Sequence, residues 1–343
     1  MRILFVGVDW LTKQIITQTL FEDSEEENEL TIIGQDTPEF FWNEFPMLKE
    51  YLGDERVDYR QESLDKIDDL LYDAIYITDT EPELLDPYLD AARRYDFKGP
   101  IILASSWQVY GWKKKKKTPI LETERDLNPE TNTAKHLLEL EEIMLKHGQG
   151  KKLQTVILRY GEVFGKYMPE SSELVKMMID CLSSEEIDVY PPQSRCYDWI
   201  DAKYIYELVP KLFARKFIGG GEVYNIGSGE EKKMTWLANS LRHLTNSPAP
   251  IKLITPENPE LFEARGYHSV MDCNKAKSFL QYEPEGIRIN QFLSVARWIE
   301  YHLPEGRRAP DLEETFPQLR PDWGTNAIKV QDDKGDEVEI PKI

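Results

Sequence analysis

Short apolar runs alternate with amphipathic stretches through roughly the first half of the chain, and that rhythm sets the expected architecture. Residues 2–7, RILFVG, form an apolar run closed by a glycine. Leu11 to Phe21 follows with apolar side chains at helical spacing, so a buried strand should feed a helix. Later strand-like runs are Leu30 to Ile33, Ala74 to Thr78, Pro100 to Ala104 and Leu153 to Leu158, with helical patterns at Glu83 to Tyr95 and Thr133 to His147. Strands that are apolar throughout, separated by helices, predict a parallel sheet covered on both faces. The acidic run Asp23 to Glu29 reads as a solvated loop.

After about residue 166 the rhythm changes, and aromatic and proline-containing segments such as VYPPQSRCYDWIDAKYIYEL indicate a second lobe. We therefore divide the chain into a first domain over residues 1–166, with returns to it from about 195–227, and a lobe over 167–303. Residues 304–343 are a C-terminal extension, Pro- and charge-rich at its start. In that extension Ile328 and Val330, then Val338 and Ile340, alternate with polar residues across a DDKG turn, the pattern of a terminal β-hairpin. Such a hairpin packs on its own domain or mediates self-association.

Composition narrows the partners. With 62 acidic against 42 basic residues the formal net charge is -20, which repels nucleic acid and anionic membranes. An anionic ligand would need a local basic cluster. The run Lys113 to Lys117 is one such cluster, read either as a solvated loop or as a collector of anions or acidic partners. Cys181, Cys196 and Cys273 are few, odd in number and without metal-ligand spacing, so neither a disulfide framework nor a metal site is expected. The start MRILFVGVDW lacks signal-peptide character, and no stretch approaches the roughly 20 apolar residues of a membrane span, so a cytoplasmic protein is expected.

Five segments then occur in a telling order: ILASSWQVYGW, ILRYGEVFG, SRCYDWIDAKYI, VYNIGSGEE and DCNKAKSFLQYEP. They resemble the SS-x-x-VYG, R-x-x-x-VYG, R-x-F-V-x-V-x-D, Y-N-I-G-S-G and D-x-S-K-A segments of the extended short-chain dehydrogenase/reductase family, specifically its NAD-dependent nucleotide-sugar epimerases and dehydratases. The resemblance runs from about residue 1 to 303. It implies a Rossmann-type α/β fold, a doubly wound parallel sheet with a smaller C-terminal substrate lobe, and NAD or NADP as cofactor. It also implies a nucleotide sugar or other small anionic ligand. Relatives dimerise through the helices here placed at about 83–95 and 133–147, so a homodimer, or a pairing with a related subunit, is expected.

The resemblance also shows what this chain has changed. Relatives hold the cofactor pyrophosphate on a G-x-x-G-x-x-G loop, where glycine lets the backbone and the helix N-terminus approach the phosphates. Here the loop reads Gly7-Val8-Asp9-Trp10-Leu11-Thr12-Lys13, keeping Gly7 alone. Trp10 puts an indole, and Asp9 a negative charge, where the phosphates would lie; alternatively Asp9 caps the helix and Trp10 fills a hollow no ligand uses. The acidic residue for the ribose hydroxyls falls on Gln35 or Asp36 according to register, and Thr78 with Asp79 follows the fourth strand facing the nicotinamide side.

In the catalytic set Ser106 matches the serine and Lys135 the lysine of Tyr-x-x-x-Lys, while Thr131 occupies the tyrosine position. An alkyl hydroxyl titrates far above a phenol, so the general base is missing there. Tyr110 and Tyr160 are alternative phenols, each in a motif where the tyrosine ordinarily packs. Arg195 matches an arginine that contacts the diphosphate in relatives, and Arg265 lies where a second one is supplied; each could equally be a salt bridge. Asn225, Gly227 and Gly229 are expected to shape a turn. The sequence thus reads as a degenerate member that has lost nicotinamide redox chemistry and acts as a ligand-binding, regulatory or partner subunit. The alternative is an active NAD(P)-dependent nucleotide-sugar epimerase, dehydratase or reductase with an altered site. A third class, chemistry without nicotinamide, would need Asp79, Glu81 and Glu122 to converge.

Overall fold

The apolar runs pair side by side into one parallel sheet. The computed structural model describes the chain except residues 22–27, 45, 68–69, 112–117, 170, 190–194, 216–217, 255–268, 303–326, 332–336 and 342–343. The sheet's strands are β1 (Arg2–Val6), β2 (Glu29–Ile33), β3 (Val57–Arg60), β4 (Ala74–Ile77), β5 (Pro100–Ser106), β6 (Gln154–Tyr160) and β7 (Glu222–Ile226). Their order is β7-β6-β5-β4-β1-β2-β3, every pairing parallel. The direction of winding reverses between β1 and β4, the switch point at which doubly wound sheets open a crevice at the strands' carboxyl ends.

Successive residues of β1 serve opposite faces, as strand geometry requires. Ile3 and Phe5 join a core with α1 (Trp10–Phe21) and the helix Ala202–Phe213, while Leu4 and Val6 join one with α2 (Pro82–Arg94) and α3 (Asn132–Gly148). The edge strand β3, sequence VDYR, is half exposed and carries no apolar run, so hydrophobic patterning passes over it. The helix Ala202–Phe213 is α5 if α4 is Glu173–Leu182, and α6 (Met234–Leu244), α7 (Asn274–Leu280) and α8 (Leu293–His302) complete the main helices. A separate apolar core forms the second lobe from Phe164, α4, α6 and residues 287–299, with strands Ile187–Val189 and Ile251–Leu253 paired on it. In the C-terminal extension Ala327–Gln331 and Glu337–Pro341 pair antiparallel, Ile328 opposite Ile340 and Val330 opposite Val338.

Two buried charged networks tie separate elements together. Arg159 of β6 donates from Nε and Nη2 to the Glu141 carboxylate of α3 at 3.0 and 2.6 Å, and Ser105 adds a third donor at 2.5 Å. Both charged side chains are almost wholly buried, so each neutralises the other in a poorly solvating interior. Asp198 is fully buried and accepts from Ser228 N, Ser228 Oγ, Gly229 N and Met271 N at 2.7 to 3.2 Å. A side chain at Gly227 would strike this carboxylate at 2.6 Å, which explains the glycine of the N-I-G-S-G turn. Asn225 is not a turn residue as the sequence suggested. It lies in β7, buried, and its side-chain nitrogen ties the strand to Ile120 O and Asp272 O. Cys181, Cys196 and Cys273 are buried free thiols, and burial pushes the first two up to about 12.

Candidate functional site

The turn between β1 and α1 is closed by its own side chains. Gly7 has a φ of +80°, and a Cβ there would sit 2.6 Å from Asp79 N and 2.7 Å from Asp79 O. The loop after β4 therefore occupies the space that the glycine leaves open. At the start of α1 the Asp9 carboxylate accepts from Thr12 N and Thr12 Oγ1, both at 2.7 Å. Because a carboxylate only accepts, the Thr12 hydroxyl donates to it and in turn accepts from Thr78 Oγ1 at 2.7 Å. The helix N-terminus, whose unpaired N–H groups and positive dipole end would favour a phosphate, already faces a negative oxygen.

Trp10, at the first position of α1, packs against the cores of both lobes. Lys13, at the third glycine position, is buried, its ammonium 5.7 Å from the Phe40 ring and 5.8 Å from the Phe41 ring. Beside this turn lies a cavity of about 450 Å³ walled by Trp10, Lys13, Asp36, Phe40, Tyr167 and Trp298. Asp36, not Gln35, borders it, and Tyr59 fixes the Asp36 backbone by donating to its carbonyl at 2.8 Å. Tyr167 holds a φ of +66°, uncommon for a residue with a bulky side chain, and its ring leans on Trp298 at 5.6 Å.

The catalytic set is brought together only in part. Ser106 ends β5 and accepts from Gln108 N at 3.2 Å, and Thr131 Oγ1 reaches Gln108 Oε1 at 3.4 Å, so the two hydroxyls flank one glutamine. Thr131 is the N-cap of α3 and accepts from Ala134 N at 3.0 Å. Lys135, one turn on, is exposed. Its neighbour His136 turns inward and meets Asp79 Oδ1 at 3.1 Å, bridging α3 to the loop that presses on Gly7. Neither spare phenol is free to act: Tyr110 is buried and donates to Asn225 Oδ1 at 2.7 Å, and Tyr160 is buried against the Tyr76 hydroxyl at 3.1 Å. Burial raises both, Tyr110 to about 12. Asp79 with His136, Glu122 accepting from Asn225 N at 3.1 Å and Glu81 at the start of α2 each serve a different element.

On the substrate side the sequence left Arg195 open between a diphosphate contact and a salt bridge. In the structure its Nη2 is ion-paired with Glu173 of α4, and the guanidinium lies over the Tyr197 ring at 5.6 Å. Glu162 adds a second carboxylate and accepts from Trp107 Nε1 at 3.1 Å. Burial raises the Glu162 and Glu173 carboxyls above the usual carboxylate range; Glu173 pushes Glu162 further up, and Arg195 draws it back. Sequence reasoning missed Trp107, Glu162, Glu173 and His136. The one signal for Glu162 was an acid immediately before the VFG of a recognised segment. Arg265 and Lys113 to Lys117 lie outside the described residues.

Residues 66–227 match the model of the NAD dependent epimerase/dehydratase family. None of the curated proteins matches the sequence. Among solved structures, the chain is similar to a dTDP-glucose 4,6-dehydratase from Bacillus anthracis str. Ames in complex with NAD, at a TM-score of 0.73 and 16% identity, covering 93% of this chain and 100% of that one. It is also similar to a UDP-glucuronic acid 4-epimerase from Bacillus cereus in complex with UDP-glucuronic acid and NAD, at 0.69 and 17%, covering 88% and 100%. A dTDP-glucose 4,6-dehydratase from Streptomyces venezuelae gives 0.73 and 15%, covering 93% and 100%. At these identities the likeness is one of fold, a Rossmann-type α/β sheet.

Proposed function

We propose that this chain is a member of the NAD dependent epimerase/dehydratase family that no longer performs nicotinamide redox chemistry and acts as a ligand-binding, regulatory or partner subunit. One observation carries the reading. The Asp9 carboxylate is bonded to Thr12 N and Thr12 Oγ1 at the end of α1 where a dinucleotide's pyrophosphate would need donors and no negative charge. Three others support it: the indole of Trp10 in the same turn, the employment of Thr131 as a helix cap, and the exposure of Lys135. The residues present do not fit a dinucleotide, so no proton or hydride step is assigned. On the substrate side, Arg195 held by Glu173 with Glu162 close by favours a neutral or cationic ligand over a diphosphate.

Self-association through the packed pair α2 and α3 accords with this role. The competing reading, an active NAD(P)-dependent nucleotide-sugar enzyme, draws on Ser106 at the end of β5 and on Asp36 at the rim of the cavity, where a ribose acceptor belongs. Isothermal titration calorimetry with NAD and with NADP separates the two. The expected outcome is no binding heat for either. A micromolar dissociation constant for NAD, or NAD retained through purification, would refute the proposal and restore the oxidoreductase.

A further inference from the structure

A second cavity, of about 460 Å³, opens on the flank of α1 away from the Gly7 turn, between α1, the first turn of α5 and the residues that lead into α8. Its chemistry differs from that of the cofactor cleft. The polar lining is dominated by side-chain amides and phenols, among them Gln14, Asn290, Gln291, Tyr204 and Tyr206. Its formal charges cancel, Lys166 and Lys203 against Asp201 and Glu285. Asp201 is moreover occupied as the cap of α5, accepting from Lys203 N at 2.9 Å.

The amides are oriented by bonds that leave a defined set of groups for a ligand. Gln14 donates from Nε2 to Lys166 O at 3.2 Å, so its carbonyl oxygen remains an acceptor. Gln291 accepts at Oε1 from Arg288 N at 3.1 Å, so its NH₂ remains a donor. Asn290 Oδ1 is buried without a hydrogen-bond partner, a cost that a fold carries where something else supplies the donor. Two acceptors and one donor beside tyrosine rings, with no net charge, match groups that both donate and accept on a compact body with C–H faces. Hydroxyls on a sugar ring have that character. Phosphates and carboxylates do not, since the lining has no surplus positive charge and the whole chain is at -20. The volume lies in the range of small-ligand sites.

We propose that this cavity is a binding site for a neutral carbohydrate, with Asn290 and Gln14 accepting from ring hydroxyls and Gln291 donating to one. The site is separate from the cofactor cleft, and the inference stands whether or not NAD binds there. Saturation-transfer difference NMR on the full chain with D-glucose, D-galactose and N-acetyl-D-glucosamine as probes tests it. At least one sugar should receive saturation. Its dissociation constant should weaken about tenfold in Asn290→Ala and about tenfold in Gln14→Ala, the effect of one lost hydrogen bond. Gln14 lies on the surface of α1, so its variant keeps the test valid even if the Asn290 variant folds poorly. No transfer to any of the three sugars overturns the proposal, and so does transfer at unchanged affinity in Gln14→Ala with Asn290→Ala folded.

Discussion

The capping of α1 by Asp9 leads to a prediction that separates stability from charge. Asp9→Ala removes the acceptor of both Thr12 N and Thr12 Oγ1. Loss of an N-cap costs about 1 kcal/mol, within roughly 0.5–2, and the Thr12 hydroxyl keeps Thr78 Oγ1 as its partner, so the cost stays at about 1 kcal/mol. In a protein of 343 residues that lowers the melting temperature by about 1–2 °C. Asp9→Ser keeps an oxygen at the cap while removing the charge, and stays within about 0.5 kcal/mol of the parent. Thermal melts of the three proteins at one pH and salt concentration give the comparison. An alanine variant that melts with the parent, or a serine variant that falls as far as alanine, refutes the capping argument. The same serine variant then probes the cleft. A carboxylate about 4 Å from a charged phosphate oxygen opposes it by about 1 kcal/mol even in bulk water, so two phosphates regain at least ~2 kcal/mol, roughly thirtyfold. With the Trp10 indole still in the turn, NAD should give no calorimetric heat with Asp9→Ser. Micromolar binding by that single variant would mean that the steric half of the reasoning is wrong.

Two further outcomes follow from the buried networks. Glu141→Ala leaves Arg159 buried without its carboxylate and should cost about 3–5 kcal/mol in urea unfolding, whereas Glu141→Leu with Arg159→Leu together should recover most of that loss. Asp198 is raised from 3.8 to about 6, with desolvation outweighing its four donors. A carboxyl raised on folding stabilises the protein while protonated, so its contribution is complete below about pH 4 and is lost as pH rises through about 6. The amount is roughly 3 kcal/mol at most. Unfolding free energies at pH 4 and pH 7 should therefore differ less in Asp198→Asn than in the parent protein, and an equal difference in both would contradict the shift.

The sheet was legible because its strands are buried on both faces and so read as unbroken apolar runs, from RILFV to TVILRY. The strand VDYR was not, since an edge strand with one wet face and two charges has no such signature. At the site, the altered turn could be read from Gly7 to Lys13 because every relevant residue is local in sequence. Partnerships across the fold could not. Arg195 meets Glu173 from 22 residues away and Asp198 meets Met271 from 73, and nothing in the intervening sequence distinguishes those acids from the many solvated ones of a chain at -20. Glu141 was hidden for a related reason, lying in the run LEEI, where helical periodicity places acids on either face.

Tyr167, with its left-handed backbone, borders the cofactor cleft on one side and the amide-lined cavity on the other. The two chambers thus share Tyr167 as a common wall. Thermodynamic linkage makes any resulting interference symmetric: whatever a guest in either chamber does to the affinity of its neighbour, the neighbour does in equal measure to it.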